Sequence, residues 1–249
     1  MTSRRQFLAA SLAVASVAGL GVTAHAADDV LRVGTDATFP PMEYVENGKR
    51  VGFDIDLIEA IADVLGKKVE WVDIDFKGLI PGLISKRFDM AVSAIYITDE
   101  RKKVVDFTDS YFAGGLVTMV KVGNTSIKPP IDLNGKKVTV QVGTKSVSYV
   151  KQTFPKVELV EVEKNQEMFD LVAIGRADAA VTGKPAAFQY ARTRGGLQVL
   201  EPQLTTEEYG MALRKDEAGL TKAVNEALAK LKADGRYAKI VAKWFPPAK

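Results

Sequence analysis

From Val30 onward, short apolar runs of strand character alternate with amphipathic helical stretches, and the alternation halts at Ala113, Gly114 and Gly115 before starting again. A pattern that stops and restarts predicts two α/β units rather than one continuous sheet. In the first set, strands are expected at residues 31–34, 69–72 and 89–95. A helix over 56–65 carries Leu57, Ile58, Ile61 and Leu65 on one face, with Asp54 and Asp56 starting and capping it, and a second helix covers 78–85 despite Pro81. Thr98 followed by Asp99 and Glu100 opens a third, a capping hydroxyl with acids in the first turn. In the second set, strands at 137–142, 157–162 and 178–182 alternate with helices at 146–154 and 166–174. A further strand at 209–213 precedes closing helices that carry Leu220, Val224, Leu228 and Leu231, then Tyr237, Ile240, Val241 and Trp244. The simplest architecture is two α/β lobes on a two-strand hinge. Lobe 1 is built from residues 27–113 and 210–249 and lobe 2 from 116–207, with crossings near 113–118 and 208–211. A ligand would sit between the lobes, where domain interfaces form clefts and hinges allow closure.

The chain opens with Arg4 and Arg5, an uncharged run reaching Val22 and the small-residue site Ala24, His25, Ala26. This layout predicts a cleavable export signal over residues 1–26. The paired arginines resemble a twin-arginine signal. The remainder is 249 − 26 = 223 residues, enough for two cores, and holds no other stretch apolar enough to cross a bilayer. A soluble periplasmic protein is expected. There is no cysteine, and the only histidine is His25 inside the signal. Ser-His-Asp and Cys-His hydrolases and the usual zinc sites are thereby excluded, since each needs an imidazole or thiolate. No metal or cofactor is implied. Removing Arg4 and Arg5 from 34 basic residues leaves 32 against 31 acids, so no basic excess argues for nucleic acid.

Several segments, in order, carry a family likeness: residues 34–41 (Gly-Thr-Asp-Ala-Thr-Phe-Pro-Pro), 51–57 (Val-Gly-Phe-Asp-Ile-Asp-Leu), 75–83, 97–101 (Ile-Thr-Asp-Glu-Arg), 105–108, 176–179 and the terminal Lys-Trp-Phe at 243–245. With these the mature chain resembles the family 3 solute-binding proteins, the polar amino-acid receptors of ABC importers. The resemblance implies a two-lobed, type II periplasmic-binding-protein fold and a monomeric receptor. Such a receptor takes a small carboxylate-bearing, amino-acid-like ligand and delivers it to an inner-membrane permease. It implies Arg101 as the clamp on the ligand carboxylate, a role suited to a planar, always charged guanidinium. It further implies Thr144 as a contact in a loop of Gly143, Thr144, Lys145 and Ser146 whose N–H groups open a helix, Phe39 and Phe76 as aromatic walls, and Asp36 at the ligand's distal polar end.

The departures from the family pattern are informative. Ala94 and Tyr96 stand where relatives place Gly and Thr or Ser; Ala94 retains a carbonyl, and Tyr96 offers a hydroxyl or a wall. Lys145 stands where relatives often have Gly. Gly183 replaces the acid that pairs with the ligand's α-ammonium. Either another acid serves, with Asp36, Glu43 or Glu163 as candidates, or the ligand has no ammonium. Glu43 otherwise reads as an exposed loop acid, Asp178 as structural, and Lys184 as either a second anion contact or a solvated lysine. Two other functions are compatible with the same pattern. One is a cyclohexadienyl-dehydratase-like enzyme, which needs a placed carboxyl acid; the other is a sensory ligand-binding module acting through a separate partner.

Overall fold

The computed structural model describes residues 29–128 and 130–246. The predicted signal segment lies outside the described residues. Two five-stranded sheets repeat one plan. In the first, the order is Lys68–Asp73, Val30–Thr35, Met90–Ala91, Ala212–Leu213 and Asp106–Phe107; the first three run parallel and Ala212–Leu213 runs against both neighbours. In the second, the order is Glu158–Val162, Lys137–Gln141, Ala179–Gly183, Leu116–Lys121 and Leu197–Leu200, again with three parallel strands and an antiparallel fourth. Parallel strands need crossover helices, and these cover the sheets.

The helix Phe53–Leu65 buries Phe53, Leu57, Ile58 and Ile61 on one side. The closing helices Ala218–Ala233 and Arg236–Trp244 pack on it, which returns the chain's end to the first sheet. A two-stranded antiparallel ladder, Phe112–Ala113 with Glu208–Tyr209, runs where the chain passes between the sheets. The chain is thus an α/β protein of two lobes.

Several sequence expectations are corrected. The 89–95 strand shrinks to Met90–Ala91, because Ala94 sits at φ 45°, outside the extended region, with its N–H held by Asp54 at 2.9 Å. The 209–213 strand is split into Glu208–Tyr209 and Ala212–Leu213. Asp54 does not cap its helix. Gly52 occupies the cap position, and Asp54 turns inward, fully buried. Thr98 does cap, accepting the Arg101 N–H at 3.2 Å. A small sheet of Thr38–Phe39, Glu43–Glu46 and Lys49–Val51 is an addition; Asn47 and Gly48, both at positive φ, turn its hairpin.

Candidate functional site

The carboxyl ends of the parallel strands from both lobes converge on a cavity of about 30 Å³. Its lining includes Asp36, Phe39, Phe76, Ala94, Tyr96, Thr144 and Gly183, so seven of the eight sequence-predicted positions meet here. Arg101 borders the group from the short helix Asp99–Lys102 without lining the cavity itself.

Arg101 is placed by three contacts. Its Nη1 donates to the Tyr96 carbonyl at 2.8 Å, Nη2 donates to the Gly143 carbonyl of the other lobe at 3.3 Å, and its guanidinium carbon lies 5.6 Å from the centre of the Phe76 ring. Burial lowers its pKa to about 10, so it stays charged at neutral pH. Among the described residues no carboxylate forms an ion pair with it.

Asp36, 3% exposed, is fully engaged. Its Oδ1 accepts from Thr38 Oγ1 at 3.0 Å and Lys164 Nζ at 2.9 Å, and its Oδ2 from the Phe76 N–H at 3.2 Å and Gln141 Nε2 at 2.9 Å. Two of those donors come from the second lobe, as does the Lys164 bond to Asp75 at 2.7 Å. Gln141 extends the chain of polar groups: its Oε1 accepts from Asn165 Nδ2 at 2.7 Å, and Asn165 Oδ1 accepts from Thr182 Oγ1 at 3.3 Å. All three are buried amide or hydroxyl side chains, held by partners as buried polar groups require.

Gly183 ends the strand Ala179–Gly183 at φ −68°, a conformation open to any residue. What forbids a side chain is space. A Cβ there would lie 2.8 Å from the Tyr209 hydroxyl, 2.9 Å from Phe39 Cζ and 3.4 Å from the Tyr96 hydroxyl. The space beside Gly183 is filled by two tyrosines and Phe39. Tyr209 donates to Tyr96 at 3.2 Å, and Tyr96 also accepts the Gly115 N–H at 3.1 Å. Burial pushes the Tyr96 phenol up to about 12, so both remain neutral donors and acceptors.

The loop before the helix Lys145–Thr153 brings Thr144, Lys145 and Ser146 to the cavity, with the Thr144 hydroxyl donating to the Gln141 carbonyl at 2.7 Å. Gly143, at φ 76°, lets this loop approach the first lobe: a Cβ would meet Lys77 Cα at 2.8 Å. The Lys145 ammonium pairs with Glu207 at 2.6 Å.

The reading of Glu43 as an exposed loop acid is wrong. It is fully buried in the cavity wall, because its strand pairs Phe39 with Glu43 and faces that side chain inward. Its Oε1 accepts from Ser93 at 2.7 Å, and the Asp54 N–H donates to the carbonyl of neighbouring Met42 at 2.8 Å, which sets Asp54 beside it. Asp54 Oδ2 accepts from the Ala94 N–H and from the Tyr111 hydroxyl, both at 2.9 Å. Burial, with the neighbouring Asp54 charge adding to it, pushes the Glu43 carboxyl well above the usual carboxylate range. Burial raises Asp54 to about 6 against its own donors.

Other candidates fall outside the cavity. Glu163 pairs with Lys77 across the mouth, Lys184 lies in an outer groove beside Phe188, and Asp178 accepts the Lys137 N–H at 2.8 Å as a structural tie. Sequence reasoning missed Gln141, Lys164, Asn165, Thr182 and Tyr209 altogether.

A two-lobed α/β protein with a polar, aromatic-walled cavity between its lobes defines the class of type II solute receptors. Residues 31–247 match the bacterial extracellular solute-binding proteins, family 3, and the chain belongs to that family. It is 33% identical over 253 residues to the L-cystine-binding protein TcyJ of Escherichia coli K12, covering 97% of this chain and 95% of that one. Among solved structures, an ancestral arginine-binding protein bound to arginine is 45% identical with a TM-score of 0.84, covering 87% and 98% of the two chains. The ancestral amino acid-binding protein AncCDT-1, a precursor of cyclohexadienyl dehydratase, is 43% identical with a TM-score of 0.83, covering 88% and 96%.

Proposed function

We propose that this protein is the periplasmic receptor of an ABC importer for an amino acid, and that it binds without turning its ligand over. The observation that carries the reading is Arg101: a charged guanidinium at the cavity's border, steadied by carbonyls and an aromatic face, with no acid paired to it among the described residues. A ligand carboxylate supplies the missing partner through a charge-assisted pair. Thr144 and the helix start beside it add neutral donors from the second lobe, and Phe39 and Phe76 flank the ligand's side chain. Asp36 lies towards its distal end, with the Ala94 carbonyl, Tyr96 and Gly183 completing the wall. The ladder of Phe112–Ala113 and Glu208–Tyr209 acts as the hinge between a lobe of residues 27–113 and 210–249 and a lobe of 116–207. Closure is stabilised by contacts absent in the open state. Processing after Ala26 releases a monomer that docks on a separate permease.

Relatives named for cystine and arginine support an amino-acid ligand. The dehydratase alternative is less favoured, since these relatives are named as binding proteins and the enzyme's precursor is itself named as amino acid-binding. The test is a thermal-shift and calorimetry series on ligand-stripped mature protein against amino acids, keto acids and dicarboxylates. An amino acid at about 100 times its Kd should stabilise the folded state by about 2.7 kcal/mol. Binding of deaminated acids alone, or turnover of prephenate or arogenate, overturns the reading.

A further inference from the structure

Glu43 and Asp54 pose a problem in elementary electrostatics. Both carboxyls have no solvent exposure, and Glu43 Oε2 and Asp54 Oδ1 have no donor partner. The backbone holds the two side by side: consecutive residues, Ser93 and Ala94, donate to Glu43 and to Asp54 at 2.7 and 2.9 Å, and the Asp54 N–H donates to the carbonyl of Met42, next to Glu43, at 2.8 Å. Two ionised carboxylates cannot share such a place, because each is desolvated and each repels the other. One proton held by the pair removes the repulsion. The donors decide where it sits. Asp54 accepts from an N–H and a phenol, which favour its ionised form, whereas Glu43 accepts only from Ser93.

The other groups facing Glu43 do not replace that proton. Asp36 is acidic and already pairs with Lys164, and the Tyr111 and Tyr209 phenols are held neutral by burial. Among the described residues no cation faces the pair, yet Glu43 stands in the cavity wall beside Asp36 and Ser93.

We propose that Glu43 and Asp54 store one proton in the wall of the binding cavity and that a ligand bearing a cationic side chain expels it on binding. The expelled proton passes to solvent while the open lobes admit the ligand, and the ligand's positive charge then stabilises the second carboxylate. A neutral ligand leaves the proton in place. The pair thus lets one pocket accept both kinds of ligand while making the affinity for one of them depend on pH. This rests on the amino-acid reading above.

The sign follows from the raised folded-state values. Both acids bind the proton more tightly folded than unfolded, so the stability they contribute is full below the ordinary carboxylate range. It is lost as pH rises through the range in which the folded pair gives up its proton. For binding, release of one proton makes cationic-ligand affinity rise about tenfold per pH unit while the pair is still protonated.

Two arms test this. In ligand-free protein, infrared spectroscopy at neutral pH should show a protonated carboxyl that disappears in Glu43→Gln, an isostere whose amide can donate to Asp54 and accept from Ser93. Asp54→Asn provides a second variant if that one folds poorly. In the binding arm, calorimetry in buffers of different ionisation heat should show about one proton released per L-arginine bound and none per L-glutamine, with the release abolished in Glu43→Gln. Absence of the protonated carboxyl, or arginine binding without proton release, overturns the proposal. Failure of every amino acid to bind removes the release step together with the reading it rests on, while the infrared arm still decides whether the pair holds a proton.

Discussion

The two walls of the cavity are built on opposite plans. The first lobe presents charge: Asp36, the Glu43 and Asp54 pair, and Arg101 at the border, most of it fixed by partners within that lobe such as Ser93, Tyr111 and the Tyr96 carbonyl. The second lobe presents mainly neutral groups, the chain of Gln141, Asn165 and Thr182, a helix start and the bare backbone of Gly183, with Lys164 reaching across to Asp36. Desolvating an ion costs far more than desolvating an amide or hydroxyl. With the Glu43 and Asp54 pair already buried against partners of its own lobe, the second lobe covers the cavity mainly with neutral groups.

The largest effect should come from breaking the charged wall. Arg101→Ala should weaken amino-acid binding by about 2 to 5 kcal/mol, roughly 30- to several-thousand-fold, through loss of the carboxylate's partner. Its melting temperature should change little, since the guanidinium bonds only to two carbonyls. Calorimetry with the wild-type ligand checks it. An unchanged Kd removes Arg101 from the site and with it the asymmetry between the walls.

The next test sharpens the part of the second lobe. Gly183→Ala adds a Cβ whose nearest neighbours, Tyr209, Phe39 and Tyr96, come from the strand Glu208–Tyr209 and the first lobe. With φ at −68° the backbone is not strained, so the open protein should fold as well as wild type. The closed form must repack, and overpacking costs about 1 to 3 kcal/mol, or about 5- to 150-fold in affinity. Unfolding and binding measured together separate the outcomes. A loss of stability without loss of affinity would show that the glycine serves the fold and not closure.

The first lobe's wall was largely legible in the sequence and the second lobe's was not, for the same physical reason. Asp36, Phe39, Phe76 and Arg101 sit in compact motifs at strand ends and helix starts, where local spacing carries the information. Gln141, Asn165 and Thr182 look like ordinary polar residues in separate elements: Gln141 and Thr182 lie in neighbouring parallel strands and Asn165 opens the helix that follows a third, and only the assembled sheet brings them together. Glu43 shows the limit within a legible region. Its burial depends on a hairpin whose Asn47–Gly48 turn was in plain view, but a period-2 pattern broken by Val45 on the outside gave no sign that the glutamate faced inward. Tyr209 escaped because its role comes from filling the space above a glycine, a relation between residues far apart in the chain.

The smallest effect concerns the mouth of the cleft, where the walls meet in water. Lys77 and Glu163 pair across the lobes, each 49% exposed, so salt and solvent screen them. By contrast, Lys164 reaches Asp36 at only 3% exposure of the acid. Lys77→Met keeps the backbone that packs against Gly143 and removes only the exposed charge. Its affinity loss should be no more than about fivefold at low ionic strength and should vanish in high salt, as an exposed pair requires. A titration repeated across salt concentrations reads this directly. A large, salt-insensitive loss would place the closing energy at the solvent-exposed rim, leaving the neutral chain of the second lobe a spectator.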